Sequence, residues 1–223
     1  MTQAPAPVVV TVTPNPALDQ TVWIPGFAAG EVNRVEREET SPGGKGVNVA
    51  AFLASFGVPV AVTGFLGRAN AALFEDFLAA RGIGSAFVPV PGTTRTGVKI
   101  VDEKAGTTTD INFPGFAVTG ADLDGLEEAV RGLAAAGRWI VLAGSLPRDA
   151  PAQTYRTLAD AVHAAGGSVA LDTSGAALTE ALPAQPELVK PNRAELEELV
   201  GRPLPDRAAL RAAAGELAAS GIG

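Results

Sequence analysis

Apolar positions along this chain switch repeatedly between strand and helix spacing. Val8 to Thr13 is a β-branched run bounded by proline, which predicts a buried strand. Val49, Phe52, Leu53 and Phe56 then recur at helical intervals, predicting a helix over 47–56. Pro59 to Thr63 reads as a second core strand, and Leu73, Phe74, Phe77 and Leu78 form a helical stripe that stops at Arg81-Gly82. Leu123, Leu126, Val130 and Leu133 mark one face of a helix over 122–136. Further on, the pattern predicts a strand from Trp139 to Leu142, a helix over 151–165 and a strand from Ser168 to Leu171. It closes with a short strand at Glu187 to Val189, a helix over 193–200 and a last helix from about Arg207 to Ala219.

Apolar strands alternating with glycine-ended helices predict an α/β fold, a mostly parallel sheet covered on both faces. Ligands of such sheets sit beyond the carboxyl ends of the strands. The polar motifs fall there: Asn15 to Asp19, Gly144 to Pro147, Asp172 to Gly175 and Lys190 to Asn192. Residues 20–40 and 86–112 break the alternation, with extended character and no helical period. Val98, Ile100 and the run Thr107 to Ile111 suggest antiparallel pairing, so these segments predict a small β lid too short for a core of its own. The expected organisation is one domain over 8–223, preceded by a loose proline- and alanine-rich tail at 1–7 with no positive charge and no signal-peptide pattern.

The net charge of −7 argues against a nucleic-acid surface, which needs clustered Lys and Arg. No apolar run approaches the length of about 18 residues that a membrane span requires. The chain has no cysteine, which excludes disulfides, thiolate nucleophiles and cysteine-ligated zinc and is compatible with a reducing cytoplasm. Its one histidine, His163, lies in a predicted helix without a partner motif and reads as structural. Acid–base chemistry is left to carboxylates and lysines.

Pro42-Gly43-Gly44-Lys45-Gly46-Val47-Asn48 is the strongest local feature. A glycine-rich loop entering a helix exposes backbone N–H groups to an anion, and the lysine adds a mobile charge. The same residues also suit a plain helix-capping turn. Arg95 and Lys99 lie four apart in an extended segment, so both can face one side, either as a phosphate clamp or as two solvated charges. Asp19 and Ser145 follow strands and fit either turns or ligand contacts. Asn192 and Glu195 are three apart at a helix start, a spacing that serves a shared ligand or a capping box.

Seven motifs stand in order: TPNPALD (13–19), GGKGVNVA (43–50), TRTGVK (94–99), INFPG (111–115), AGSLP (143–147), LDTSG (171–175) and KPNRAELEEL (190–199). Together they resemble the ribokinase-like (PfkB) sugar kinases, most closely the 1-phosphofructokinase and tagatose-6-phosphate kinase branch. The resemblance runs from about Val8 to the end of the chain. It implies a ribokinase-like three-layer sandwich with a small β lid, and a cytoplasmic kinase that uses ATP and Mg2+. It implies transfer of the γ-phosphoryl of ATP to the 6-hydroxyl of fructose 1-phosphate, or alternatively to the 1-hydroxyl of tagatose 6-phosphate.

By the same resemblance, Asp19, Gly43, Gly44, Lys45, Asn48, Arg95, Lys99 and Ser145 bind the sugar phosphate, with Arg34 a further lid candidate. Lys190 and Asn192 line the nucleotide phosphates, while Glu195, Asn192 and Asp172 organise the metal. Gly97 departs from the family, which commonly has asparagine there. The family's GAGD segment, which carries the catalytic base, is absent from these residues. The C-terminal part of the fold is therefore expected to be missing, with the base beyond Gly223 and the 223 residues inactive. A sugar-phosphate-binding fragment without catalysis is the reading from another class. The resemblance further implies a homodimer formed through the lid in the full-length form, and no nucleic-acid or membrane partner.

Overall fold

The structure is a computed structural model that describes residues 6–222; residues 1–5 of the expected tail, and Gly223, lie outside the described residues. Along the chain run β1 (Val9–Thr13), β2 (Ala17–Trp23), β3 (Arg37–Gly43), α1 (Lys45–Ser55), β4 (Val60–Gly67) and α2 (Ala71–Ala79). Then come β5 (Gly84–Ser85), β6 (Val88–Val90), β7 (Thr96–Asp102), β8 (Thr107–Asn112), α3 (Gly120–Leu133), β9 (Trp139–Ala143) and α4 (Thr154–Ala164). The remainder is β10 (Ser168–Asp172), α5 (Gly175–Ala181), β11 (Leu188–Val189), α6 (Arg193–Val200) and α7 (Arg207–Ala219).

The larger sheet has the order β11-β10-β9-β1-β4-β5, with β6 also pairing to β4. Each of its pairings is parallel, Val10 lying opposite Ala61 on one side and Ile140 on the other. Strand alternation sorts the side chains into two layers. Val10, Val12, Ile140 and Leu142 pack with Leu126 and Val130 of α3, Tyr155 and Leu158 of α4 and Leu178 of α5. Val60 and Val62 face the other way, onto Val47 and Ala50 of α1 and Phe74 and Leu78 of α2. Helices on both faces of a parallel sheet give the expected three layers. Each fully buried Val or Leu here stabilises the fold by roughly 1.5–3 kcal/mol.

On the α1 side the cover is incomplete. Trp139, Val141, Ala170 and Leu188 of β9, β10 and β11, with Val49 and Leu53 of α1, line an open groove of about 400 Å³.

The second sheet has the order β3-β2-β7-β8. β7 and β8 pair antiparallel, as the sequence suggests, and β2 also pairs antiparallel with β3. β2 and β7 run parallel, which local sequence does not reveal. Val22, Ile24 and Ile100 form its small core.

The lid boundaries differ from those expected. β2 begins at Ala17 and β3 runs on to Gly43, while Val88–Val90, inside the expected lid segment, joins the larger sheet through Phe65 opposite Val88. The helix expected from 151 begins at Thr154, because the Pro151 carbonyl accepts from both the N–H and the hydroxyl of Thr154 in a preceding turn. α3 starts earlier than its apolar stripe because Thr119 caps it in a reciprocal box with Asp122.

Candidate active site

The glycine loop is built against the end of β1. Gly44 has φ +105°, and a side chain there would meet Pro16 Cα and Thr13 Cγ2 at 3.0 Å. Only glycine allows this approach and this backbone. α1 starts at Lys45 with no side-chain cap, so its first-turn N–H groups remain available to an anion. Asn48 follows those free N–H groups and closes the first helical bond, its own N–H donating to the Gly44 carbonyl at 2.9 Å.

Asp19 sits where β3, β2 and β7 bring two glycines together. It pairs with Ser41 on one side and Gly97 on the other, with Gly43 two residues along β3 and so on the same face. A methyl group on Gly43 would fall on the Asp19 carboxylate. One on Gly97 would lie 3.3 Å from Asp19 Oδ1 and 3.7 Å from Asn112 Oδ1. Gly97, where the family commonly has asparagine, thus clears space beside Asp19, and Asn112 opposite it on β8 brings an amide to the same place. Asp19, Gly97, Lys99, Asp110 and Asn112 line one shallow cavity of about 260 Å³.

Burial raises the Asp19 carboxyl above the usual aspartate range, while Arg95 and Lys99 pull it back. Burial likewise lowers the Arg95 guanidinium, opposed by Asp19. The two predicted cations therefore converge on the predicted carboxylate. Arg95 is aimed by backbone carbonyls, donating to Phe113 at 3.1 Å and to Asn15 at 3.3 Å. Lys99 meets Asp110 at 3.4 Å with both side chains half exposed, a pairing worth about 0–1 kcal/mol that a phosphate can readily displace.

Asn15 is a residue that the sequence reading did not single out. It is buried, its amide N–H₂ reaching Ser145 Oγ at 3.3 Å and the Leu146 carbonyl at 3.4 Å. Its Oδ1 is buried without a partner among the described residues, and a side chain on Gly115 would come within 2.6 Å of it. Its signal in sequence is a polar residue directly after a buried strand. The AGSLP turn beside it is pinned at Gly144, whose carbonyl accepts from Tyr155 Oη at 3.0 Å and Thr173 Oγ1 at 2.8 Å. Burial, and to a lesser degree Asp172, pushes the Tyr155 hydroxyl far above its ordinary value, so it acts as a fixed donor.

Lys45 does not join Arg95 and Lys99. Its Nζ lies 2.9 Å from Asp172 Oδ1, and Lys190 Nζ reaches the same oxygen at 3.3 Å. Asn192 and Glu195 form a capping box: Asn192 Oδ1 accepts from the Glu195 N–H at 3.0 Å, and Glu195 Oε2 accepts from the Asn192 N–H at 2.7 Å. No group of three or more acidic or histidine side chains that could hold a metal is present among the described residues. Glu195 Oε1 stays outside the box, which suits a hydrated magnesium ion that keeps most of its water shell. Arg34 is exposed on the loop between β2 and β3. His163 pairs with Glu187 at 3.2 Å, and Glu187 also accepts from the Val169 N–H at 2.7 Å, a structural tie between α4 and the sheet. No described helix is long and apolar enough to cross a membrane.

The family model for pfkB family carbohydrate kinases matches residues 13–223, from the end of β1 onward. The chain belongs to this family. It is 51% identical over 216 residues to a 1-phosphofructokinase of Rhodobacter capsulatus, a match covering 96% of this chain and 68% of that protein. It is 46% identical to a 1-phosphofructokinase of Xanthomonas campestris, with the same two coverages. Among solved structures, it is similar to the phosphofructokinase-2 of Escherichia coli in complex with substrates and products, with TM-score 0.90 and 31% identity over 96% of this chain and 69% of that one. The parallel sheet, helical layers and lid sheet are thus those of a pfkB carbohydrate kinase.

Proposed function

We propose that this pfkB kinase phosphorylates fructose 1-phosphate at its 6-hydroxyl with ATP, giving fructose 1,6-bisphosphate. The 51% identity to a 1-phosphofructokinase, set against 31% to a phosphofructokinase-2, carries the choice of acceptor. The site chemistry supports it. Asp19 accepts hydrogen bonds from sugar hydroxyls in the space cleared by Gly43 and Gly97. Gly44 and Asn48 approach the sugar from the helix start, and Ser145 donates from the AGSLP turn. Arg95 and Lys99 clamp the acceptor phosphate. Lys190 and Asn192 face the nucleotide, and Glu195 reaches its magnesium through water. Bound with the nucleotide, Mg2+ neutralises charge on the phosphate oxygens.

In the transfer the hydroxyl oxygen bonds to the γ-phosphorus, the bond to the β–γ bridging oxygen breaks, and the hydroxyl proton passes to a base. No carboxylate described at the site is assigned as that base. Asp172 is held by two ammonium groups, Glu195 is engaged in its cap, and Asp19 faces Arg95 and Lys99. This observation favours a second reading for these 223 residues, sugar-phosphate binding without transfer. For the full-length kinase the proposal includes a dimer formed through the lid sheet, whose outer strands are β3 and β8.

Calorimetry with fructose 1-phosphate, fructose 6-phosphate and tagatose 6-phosphate, paired with an ADP-release assay, tests both readings. Fructose 1-phosphate is expected to bind most tightly, with Arg95→Ala weakening it at least about tenfold, as loss of a charge-assisted contact should. Tighter binding of tagatose 6-phosphate would overturn the acceptor assignment. Binding without ADP release would select the binding-only reading.

A further inference from the structure

The site holds two cationic groups. Arg95 and Lys99 act on Asp19 at the lid sheet. Lys45 and Lys190 share one oxygen of Asp172, at the end of β10. The lid sheet leaves the larger sheet where β1 ends, and β9 lies between β1 and β10. Neighbouring strands are about 4.8 Å apart, so the two ends of the site are separated by roughly 10 Å along the sheet. A charge-assisted contact to phosphate needs about 2.7–2.9 Å, so with Lys45 and Lys190 held at Asp172 one phosphate does not satisfy both groups.

The aim of Lys45 is built in. Its stem leaves the first position of α1 beside Gly144, where a side chain on that glycine would come within 3.9 Å of Lys45 Cβ. Asp172 is only 16% exposed, whereas Lys45 and Lys190 are 46% and 66% exposed. A mostly buried carboxylate thus holds two ammonium groups at the surface, leaving a net positive charge open to an incoming anion. Separately, the two lysines would repel each other; the shared carboxylate offsets that repulsion and fixes their spacing.

We infer that Lys45 serves the phosphates of the donor, at the reacting end of the acceptor, and that Asp172 is the positioning residue that pairs it with Lys190. This deepens the phosphotransfer reading above and rests on it. An acceptor carrying its phosphate at one end presents that phosphate to Arg95 and Lys99. The donor supplies the phosphate oxygens that replace Asp172 on Lys45.

Tripolyphosphate and fructose 1-phosphate, titrated calorimetrically into the full chain, separate the two ends. Lys45→Met is expected to weaken tripolyphosphate about tenfold, the scale of one charge-assisted contact. Fructose 1-phosphate should change by less than about twofold, as for sites that do not share partners. Arg95→Met should show the reverse pattern, and Lys45→Arg should restore tripolyphosphate binding, separating charge from folding. In an Asp172→Asn background the effect of Lys45→Met should shrink to under about threefold, the signature of an interaction that works as a unit. If Lys45→Met weakens fructose 1-phosphate as much as tripolyphosphate, the inference is overturned. A wild-type chain that binds fructose 1-phosphate but not tripolyphosphate overturns it too. A chain that binds neither overturns the phosphotransfer reading itself.

Discussion

Asp19 and Gly43 depend on each other. The carboxylate occupies the space that a side chain on residue 43 would need, two lid strands having brought them together. Gly43 has an ordinary backbone conformation, since it is not among the residues with positive φ, so alanine there should fold and simply evict Asp19. Gly43→Ala is expected to reduce fructose 1-phosphate affinity by about tenfold or more, the scale of a lost charge-assisted contact, with little change in melting temperature. Retained affinity would remove Asp19 from the binding site. At this scale the sequence was informative about residue types. Asp19, Arg95 and Lys99 were readable because charged residues stand at strand ends inside ordered motifs. Asn15 was not, because its partner Ser145 is 130 positions away and only the fold joins them. The direction of Lys45 was equally hidden, since spacing says that a lysine enters a helix but not which strand end its ammonium reaches.

At the scale of elements, the lid is tied down by one side chain. Asp102, at the end of β7, accepts from the backbone N–H groups of Gly26 at 2.8 Å, Phe27 at 2.9 Å, Lys104 at 3.0 Å and Ala105 at 3.0 Å. Those bonds join the loop after β2 to the turn between β7 and β8, and they hold the Asp102 carboxyl below its ordinary range. A lowered native pKa means that this stabilisation is complete above the ordinary aspartate range. It is lost as pH falls from there through the native value. Limited proteolysis should therefore show the loops at 24–36 and 103–106 opening on acidification, and Asp102→Ala opening them already at pH 7. Equal protection of the variant and the wild type would count against the clamp. The helices α3, α6 and α7 were legible from their apolar spacing, and β1 from its β-branched run bounded by proline. α5 was not, because a seven-residue helix with two buried positions carries little period, and β5 and β6 are too short to show any. The parallel pairing of β2 with β7 is a long-range choice that no local pattern encodes.

The whole molecule leaves apolar surface uncovered on its α1 side. Phe52 and Phe56 are 64% and 71% exposed, their rings 4.9 Å apart, and Leu188 is 50% exposed on the two-residue strand β11. Together with the groove under β9 and β10, this is a patch of the kind that drives association. The chain is expected to sediment as oligomers that grow with concentration. Phe56→Glu combined with Leu188→Lys should shift it toward the monomer. A wild-type chain that is monomeric across the micromolar range would show that the patch is tolerated in water. Periodicity could not say which face of the sheet would be left uncovered, since β9 and β10 carry apolar residues on both sides.

Gly44 alone separates the last residue of β3 from the first of α1. The strand that backs Asp19 and the helix that carries Lys45 are therefore two arms meeting at a single pivot. Tilting one arm to grip the sugar must turn the other, so occupancy at one end should be felt at the other end. Linkage makes that coupling reciprocal: tripolyphosphate should alter the affinity for fructose 1-phosphate by the same factor as fructose 1-phosphate alters that for tripolyphosphate. Trp23, whose ring lies 3.6 Å from the Arg37 guanidinium on the neighbouring lid strand, offers a fluorescence reporter of the motion in a Trp139→Phe background. Titrations that prove independent would mean that the pivot is locked and that the two substrates arrive without notice of each other.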